Sequence, residues 1–160
     1  MSDFLLVLTL VTALGAGLVA GAFFAFSTFV MAALGRVPAP EGTRAMQEIN
    51  VTVINPWFMT ALFGTAAAGL AVIVAALVDW DGSFSPYMVA AGVLYVVGCV
   101  GVTMAFNVPR NNRLAQVAAG SAEAEQVWKR YLVEWTAWNT VRTVASLAAT
   151  AALIGGIAAA

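Results

Sequence analysis

The 160-residue chain contains no histidine and a single cysteine, Cys99. Without histidine it cannot hold a haem between two histidines, bind copper, zinc or iron through imidazole, or use histidine as a general base. One cysteine cannot form an intrachain disulfide or a Cys-x-x-Cys redox pair. These absences exclude histidine-ligated metalloenzymes and thiol-oxidising enzymes, and we expect neither a metal site nor a cofactor.

Charged residues are also scarce. They make up 9% of the chain, whereas a soluble domain contains about 25%. The hydrophobic fraction is 62% and the mean hydropathy is +0.91, so the composition predicts an integral membrane protein whose main partner is the lipid bilayer. The net charge is −1 and there is no basic tail, so nucleic acid is not an expected partner.

Four apolar segments are long enough to cross about 30 Å of hydrocarbon. Backbone polar groups in lipid must be satisfied within the chain, so we expect helices and predict an all-α, four-helix bundle forming a single transmembrane domain, residues 1–160. The expected spans are about 4–34, 51–78, 86–106 and 138–160, and the longer connections are 35–50 and 107–137.

The charges of the connections predict the orientation. Both longer connections carry arginine, whereas the side that holds the termini has Asp3, Asp79 and Asp81 and no lysine or arginine. The positive-inside rule therefore places both termini on the extracytoplasmic side and the two longer connections in the cytoplasm. We expect a multi-pass protein of the plasma membrane.

Prolines and small residues are expected to shape the helices. Pro56, directly after Asn55, predicts a kink, and Pro109 is expected to stop the third helix just past Asn107. Gly17 and Gly21 form a Gly-x-x-x-Gly pair. Packing inside one bundle is the favoured interpretation of that pair, and a homo-oligomer is the alternative.

Arg142 is the most unusual residue, because it is the only charge between Thr136 and Ala160. A guanidinium at the centre of a spanning helix costs about 3 kcal/mol, so such a residue usually faces the bundle interior or a wet cavity. The alternative is that it extends to the headgroups. Glu134 lies two turns before Arg142 on the same helix, so Glu48 is the expected counter-ion.

Polar and aromatic residues converge near the same end of the predicted bundle. Trp128, Tyr131, Trp135, Trp138 and Arg142 follow one another at intervals of three and four residues, which places them along one helical stripe. The other converging residues are Ser27, Asn50, Asn55, Asn107, Asn111 and Asn139. This convergence predicts a polar, aromatic-walled pocket at the cytoplasmic end. The alternatives are an interfacial aromatic belt, helix caps and interhelical hydrogen bonds.

Three stretches resemble the anthrone oxygenase-like membrane family. They are residues 45–50 (Ala-Met-Gln-Glu-Ile-Asn), residues 107–112 (Asn-Val-Pro-Arg-Asn-Asn) and the aromatic motif that runs from Trp128 to Asn139 and Arg142. The resemblance covers nearly the whole chain. Most members of that family are uncharacterised. A few fungal members oxidise an anthrone to an anthraquinone with molecular oxygen and no conventional cofactor.

The resemblance implies an oxygenase acting on a lipophilic aromatic small molecule. In this hypothesis Arg142 and Asn139 stabilise an oxyanion and Glu48 is the catalytic base. The expected substrate-binding residues are Trp135, Trp138, Asn50, Asn55, Asn107, Asn111, Tyr131 and Ser27. The alternative is a non-enzymatic membrane protein that binds a lipid or a small hydrophobic molecule, or an accessory subunit. A proton-coupled exporter is disfavoured because no apolar segment has a carboxylate at mid-depth.

Overall fold

The structure, a computed structural model, describes residues 1–160 and contains only helices and their connections. Four helices are long and apolar enough to cross a membrane: α1, Asp3–Leu34; α3, Pro56–Val78; α4, Ser85–Ala115; and α5, Ala122–Ala158. A shorter helix, α2, Ala39–Thr52, joins α1 to α3. The predicted all-helical, multi-pass architecture is confirmed.

Buried apolar side chains form three clusters along the packed helices. The terminal cluster includes Leu5, Met88 and Leu153. The central cluster includes Val19, Tyr95, Cys99 and Ala149. The connection cluster comprises Met31, Met46, Leu114, Val117, Ala124, Trp128, Tyr131 and Trp135. Helices α1, α4 and α5 each contribute residues to all three clusters, so these three helices pack together along their length.

The start of α5 is capped by a glycine and a serine. Gly120 has a φ of 97°, a left-handed conformation that glycine adopts without strain. The Ser121 side chain then accepts a hydrogen bond from the Ala124 amide at 3.0 Å, and Glu123 and Glu125 lie in the first turn. These features stabilise the helix N-terminus, so α5 begins well before the predicted span at residue 138.

The expected kink at Pro56 is a complete break between α2 and α3. Asn55 has extended backbone angles, φ −126° and ψ 159°. Its Nδ2 donates to the Thr52 carbonyl at 2.9 Å, and its Oδ1 accepts from the Phe58 amide at 3.0 Å. Asn55 thus satisfies the free backbone groups of both helix ends, and the spanning helix begins at Pro56 instead of near residue 51.

The expectation that Pro109 ends the third helix is wrong, because α4 continues to Ala115. The residues before it, Thr103–Asn107, form a π-helical segment. Pro109 lies in the first turn of the α-helical stretch that follows. A missing amide hydrogen is tolerated in the first turn of a helix, and the wider π turn gives the ring room.

Three of the four long helices contain π-helical turns. They are Phe26–Val30 in α1, Thr60–Gly64 in α3, and Leu94–Gly101 and Thr103–Asn107 in α4. Such turns are rare and occur frequently at functional sites. Residues from the first, second and fourth of these segments surround the cavity described below.

Gly92 marks a close approach between α4 and α3. A Cβ at this position would lie 2.6 Å from Ile73 Cδ1 and 2.9 Å from the Gly69 carbonyl oxygen. The backbone oxygen cannot turn aside, so the helices would have to separate. We expect Gly92→Ala to destabilise the protein by about 1–3 kcal/mol, seen as a lower midpoint of thermal unfolding in detergent.

Gly21 provides the matched control. A Cβ there would meet nothing within 4 Å, whereas one at Gly17 would lie 3.8 Å from Thr150 of α5. Of this Gly-x-x-x-Gly pair, only Gly17 therefore packs inside the bundle. Gly21→Ala is expected to keep or raise the midpoint, because alanine favours a helix over glycine by about 1 kcal/mol. Equal midpoints of thermal unfolding for Gly92→Ala and Gly21→Ala would contradict the close packing at Gly92.

Candidate functional site

Arg142 points into the interior of the bundle. Its side chain is 4% exposed. Nη1 donates to Thr103 Oγ1 of α4 at 3.1 Å, and Nη2 donates to Asn139 Oδ1 at 2.7 Å. Nε is buried and has no partner, and none of the salt bridges involves this residue. The side chain is thus enclosed by the other helices, and no carboxylate pairs with its charge.

Two aromatic rings face the guanidinium. The central carbon of the Arg142 guanidinium lies 4.0 Å from the Phe23 ring centroid and 5.3 Å from that of Trp135. A cation over a ring face gains about 0.5–2 kcal/mol. These contacts reduce the cost of burying the charge, but they leave the site with a net positive charge.

Asn139 fixes the orientation of Arg142 and ties α5 to α1. It is fully buried. Its Nδ2 donates to the Phe23 carbonyl and to Ser27 Oγ, both at 2.7 Å, while its Oδ1 accepts from Arg142. Because the amide is held at both ends, its oxygen is a fixed acceptor. Asn139 is therefore a positioning residue for the guanidinium.

Arg142 and Trp135 line a cavity of about 240 Å³ between the helices. This volume is slightly below the range of about 300–1,000 Å³ that is typical of small-molecule sites. The walls are mostly apolar and include the aromatic residues Phe23, Phe26, Phe58, Phe63 and Trp135. A mainly apolar cavity with a few fixed polar groups is the usual form of a site for a small organic molecule.

A second polar group lies at another part of the cavity wall. The Tyr131 hydroxyl donates to Asn111 Oδ1 at 2.8 Å and accepts from Asn50 Nδ2 at 3.4 Å. Both asparagines line the cavity. The Trp135 ring contacts both polar groups, since its centroid lies 5.3 Å from the central carbon of the Arg142 guanidinium and 5.7 Å from the Tyr131 ring centroid. The cavity wall therefore carries two polar groups with an aromatic ring against each.

A stack of aromatic rings runs along α5 from Trp128 to Trp135. Trp128 and Tyr131 are stacked with centroids 5.8 Å apart, and Tyr131 and Trp135 with centroids 5.7 Å apart. Phe26 of α1 meets Trp135 edge-on at 5.8 Å. The stack belongs to the connection cluster and presents only Trp135 to the cavity. It holds the orientation of the ring beside Arg142.

Five residues that were expected to contact substrate lie outside the cavity lining: Trp138, Asn107, Ser27, Asn55 and Tyr131, whose hydroxyl instead binds the lining residues Asn50 and Asn111. Trp138 is stacked on Phe106 with centroids 3.6 Å apart. Asn107 is buried, and its Nδ2 donates to the Trp135 carbonyl at 3.2 Å. Ser27 accepts from Asn139, and Asn55 caps α3. These contacts position helices and neighbouring side chains.

No carboxylate reaches Arg142 or the cavity. Glu48 is exposed and forms no salt bridge, so the expected ion pair with Arg142 is not found. Its neighbours Ile49 and Asn50 line the cavity, and residues adjacent in a helix point in different directions. Glu134 is bound to Arg110 at 2.9 Å.

Sequence reasoning missed several residues of the site. Thr103 binds Arg142, and Phe23, Phe26 and Phe58 line the cavity. In the sequence they look like ordinary members of apolar helices. The one signal was the density of phenylalanine between Phe23 and Phe29 of α1, which does not by itself separate a cavity wall from a packed core.

Comparison with known proteins gives one match. A family model described as Anthrone oxygenase matches residues 55–152, more than half of the chain. No curated protein and no solved structure matches it. The matched region runs from the cap of α3 through most of α5 and includes Thr103, Trp135, Asn139 and Arg142. The chain therefore belongs to the anthrone oxygenase family, as the resemblance predicted. Of the three resembling stretches, residues 107–112 and 128–142 lie within the matched region and residues 45–50 lie outside it.

Proposed function

We propose that this protein is a membrane-embedded oxygenase that acts without a cofactor on a lipophilic aromatic substrate of the anthrone type. The observation that carries the proposal is the buried guanidinium of Arg142, which lines an aromatic-walled cavity and has no carboxylate partner. An uncompensated buried charge is costly. A buried, unpaired positive charge beside a cavity is suited to stabilise a negative charge that develops on a bound ligand.

The chemistry requires no electron acceptor other than oxygen. An anthrone loses a proton from its acidic methylene carbon and becomes an anion whose charge is delocalised onto the ketone oxygen. This anion transfers one electron to oxygen, and the resulting carbon radical and superoxide combine to a peroxide anion. Return of the proton converts the peroxide anion to a hydroperoxide. Loss of water leaves a second carbonyl. Overall, one anthrone and one oxygen molecule give one anthraquinone and one water.

The residues of the cavity divide these tasks. Arg142, held by Asn139 and Thr103, binds the oxyanion and stabilises it electrostatically. Trp135 and Phe23 flank the flat ring system. No carboxylate lines the cavity, so we assign the stabilisation of the substrate anion to the positive charge of Arg142. The proton passes to a water molecule bound with the substrate and returns from it to the peroxide anion, so Glu48 is not needed as a base.

The second polar group would bind the far end of the substrate. Asn50 and Asn111, linked through the Tyr131 hydroxyl, can hydrogen-bond a phenol or carbonyl there. Trp138, Asn55, Asn107 and Ser27 act at a distance, by holding the helices that carry the cavity. This division predicts that changes at the second polar group weaken binding more than they slow the reaction.

We also propose that the end carrying the connection cluster is cytoplasmic and that the membrane is the plasma membrane. The connections carry six basic residues, whereas the other end carries Asp3, Asp79 and Asp81 and no lysine or arginine. The basic residues are Arg36, Arg44, Arg110, Arg113, Lys129 and Arg130. The positive-inside rule supports this orientation. A protease site added after Ala160 should then be cut from outside intact cells, and cutting only after lysis would contradict it.

Oxygen uptake by proteoliposomes tests the proposed reaction. With dithranol, a dihydroxyanthrone, the protein should accelerate oxygen consumption above the spontaneous rate and form one anthraquinone per oxygen consumed. Arg113→Gln, at an exposed arginine, is the control and should keep the activity. Absence of acceleration would contradict an oxygenase. Binding without turnover would instead favour a protein that only binds hydrophobic molecules.

A further inference from the structure

The cavity has a mouth on the side of the bundle. Three of its lining residues are also exposed on the outer surface: Ile54 (72%), Met104 (56%) and Phe63 (46%). Ile54 lies in the break between α2 and α3, Met104 lies on α4, and Phe63 lies on α3. All three are apolar, and the surface beside them carries the exposed side chains of Val51 and Trp57. A mouth built in this way matches hydrocarbon and not water.

The cavity is closed toward the connections. The connection cluster lies on that side, and Met46, Leu114 and Trp128 are at most 2% exposed. Gln47 of α2 closes the same end, because its Nε2 donates to the Leu114 carbonyl at 2.8 Å and to the Val117 carbonyl at 3.0 Å. A molecule coming from water would have to separate these packed residues.

The opposite direction is closed as well. Leu62, a lining residue, is 3% exposed and belongs to the central cluster with Tyr95 and Cys99. The Tyr95 hydroxyl donates to the Leu62 carbonyl at 3.2 Å. The path along the bundle axis is therefore filled, and the apolar mouth is the open side.

We propose that the ligand reaches this cavity sideways from the hydrocarbon of the bilayer, through the mouth formed by Ile54, Phe63 and Met104. The inference rests on the proposed function in one respect, since it takes the cavity to be the substrate site. A molecule that travels through hydrocarbon must be uncharged. The substrate is therefore a neutral, membrane-dissolved phenol or ketone that becomes an anion only beside Arg142.

The environment of the mouth can be measured without a ligand. Cys99 is buried and is the only cysteine, so a Cys99→Ser background allows a nitroxide label at Ile54→Cys. Val97→Cys on exposed α4 surface is the lipid reference, and Arg113→Cys is the water reference. In liposomes the label at Ile54 should collide with oxygen but not with a water-soluble nickel complex, as at Val97. Nickel access equal to that at Arg113 would overturn the proposal.

Blocking the mouth tests the route itself. Met104→Trp should slow the association of a dihydroxyanthraquinone from vesicles by about tenfold, whereas Val97→Trp should leave the rate unchanged. A rate unchanged by Met104→Trp would overturn the route while leaving the proposed function intact. Absence of any binding to the unaltered protein would overturn the proposed function, and the route with it.

The chemical class can be tested with a permanently charged analogue. An anthraquinone sulfonate has the same rings and an anionic group that suits Arg142, but it cannot dissolve in hydrocarbon. We expect it to associate more than about tenfold more slowly than the neutral dihydroxyanthraquinone, because it cannot use the hydrocarbon route. Association of the sulfonate at an equal or higher rate would mean that the site is reached from water.

Discussion

Arg142→Gln is expected to lower kcat/KM for the oxidation of dithranol by about 10²–10³-fold, which corresponds to about 2.7–4 kcal/mol of lost transition-state stabilisation. The reason is that this guanidinium is the only charged group that lines the cavity. Arg142→Lys keeps the charge but loses the planar fork that binds Thr103 and Asn139 together. Its activity should therefore lie between that of the glutamine variant and that of the unaltered protein.

The stability of the same variants separates a functional role from a structural one. Arg142 has no carboxylate partner, so removing its charge leaves no buried anion behind. We expect Arg142→Met, of similar length, to unfold at the same temperature as the unaltered protein or at a higher one. A large fall in the unfolding midpoint, in step with the activity, would mean that Arg142 holds the bundle together.

Ala22→Phe is expected to weaken the binding of a dihydroxyanthraquinone by about a hundredfold, or about 2.7 kcal/mol. Ala22 lines the cavity from α1, so a phenyl ring there occupies the volume that the ligand needs. Filling a cavity usually preserves or raises stability, so the unfolding midpoint should not fall. Equilibrium titration in nanodiscs measures the affinity.

Ala33→Phe is the control for this substitution. Ala33 lies on α1 as well, but it is exposed and does not line the cavity. The same change in side chain should leave the affinity as it is. Equal weakening by both variants would show that bulk on α1, and not occupation of the cavity, is responsible. Unchanged affinity in Ala22→Phe would mean that the ligand binds elsewhere.

The side-chain contacts that the sequence predicted lie within one helix. Asn139 and Arg142 are three residues apart on α5, so their contact follows from helical geometry. Burial of Trp128, Tyr131 and Trp135 on one stripe was likewise predictable. Trp138 lies on the same stripe as Arg142 by its spacing, and its stacking on Phe106 of α4 is a contact between helices that the spacing does not predict.

Relations between helices were not predictable in the same way. The rotation of α2 about its own axis decides that Asn50 faces the cavity and Glu48 does not. That rotation is set by the break before Pro56 and by the contacts of Gln47. The π turn at Thr103–Asn107 changes which residues of α4 face α5, and Thr103, which binds Arg142, lies in that turn. Apolar periodicity carries no signal for either feature.

The ionisation state of a bound ligand tests the central claim most directly, namely that Arg142 stabilises an anion inside an apolar cavity. The visible absorption of a dihydroxyanthraquinone differs between the phenol and the phenolate, and it can be recorded in nanodiscs at a pH where the free ligand is neutral. We expect the bound ligand to show the phenolate spectrum with the unaltered protein and the phenol spectrum, with weaker binding, in Arg142→Gln. A ligand bound as the neutral phenol to both proteins with equal affinity would contradict the account.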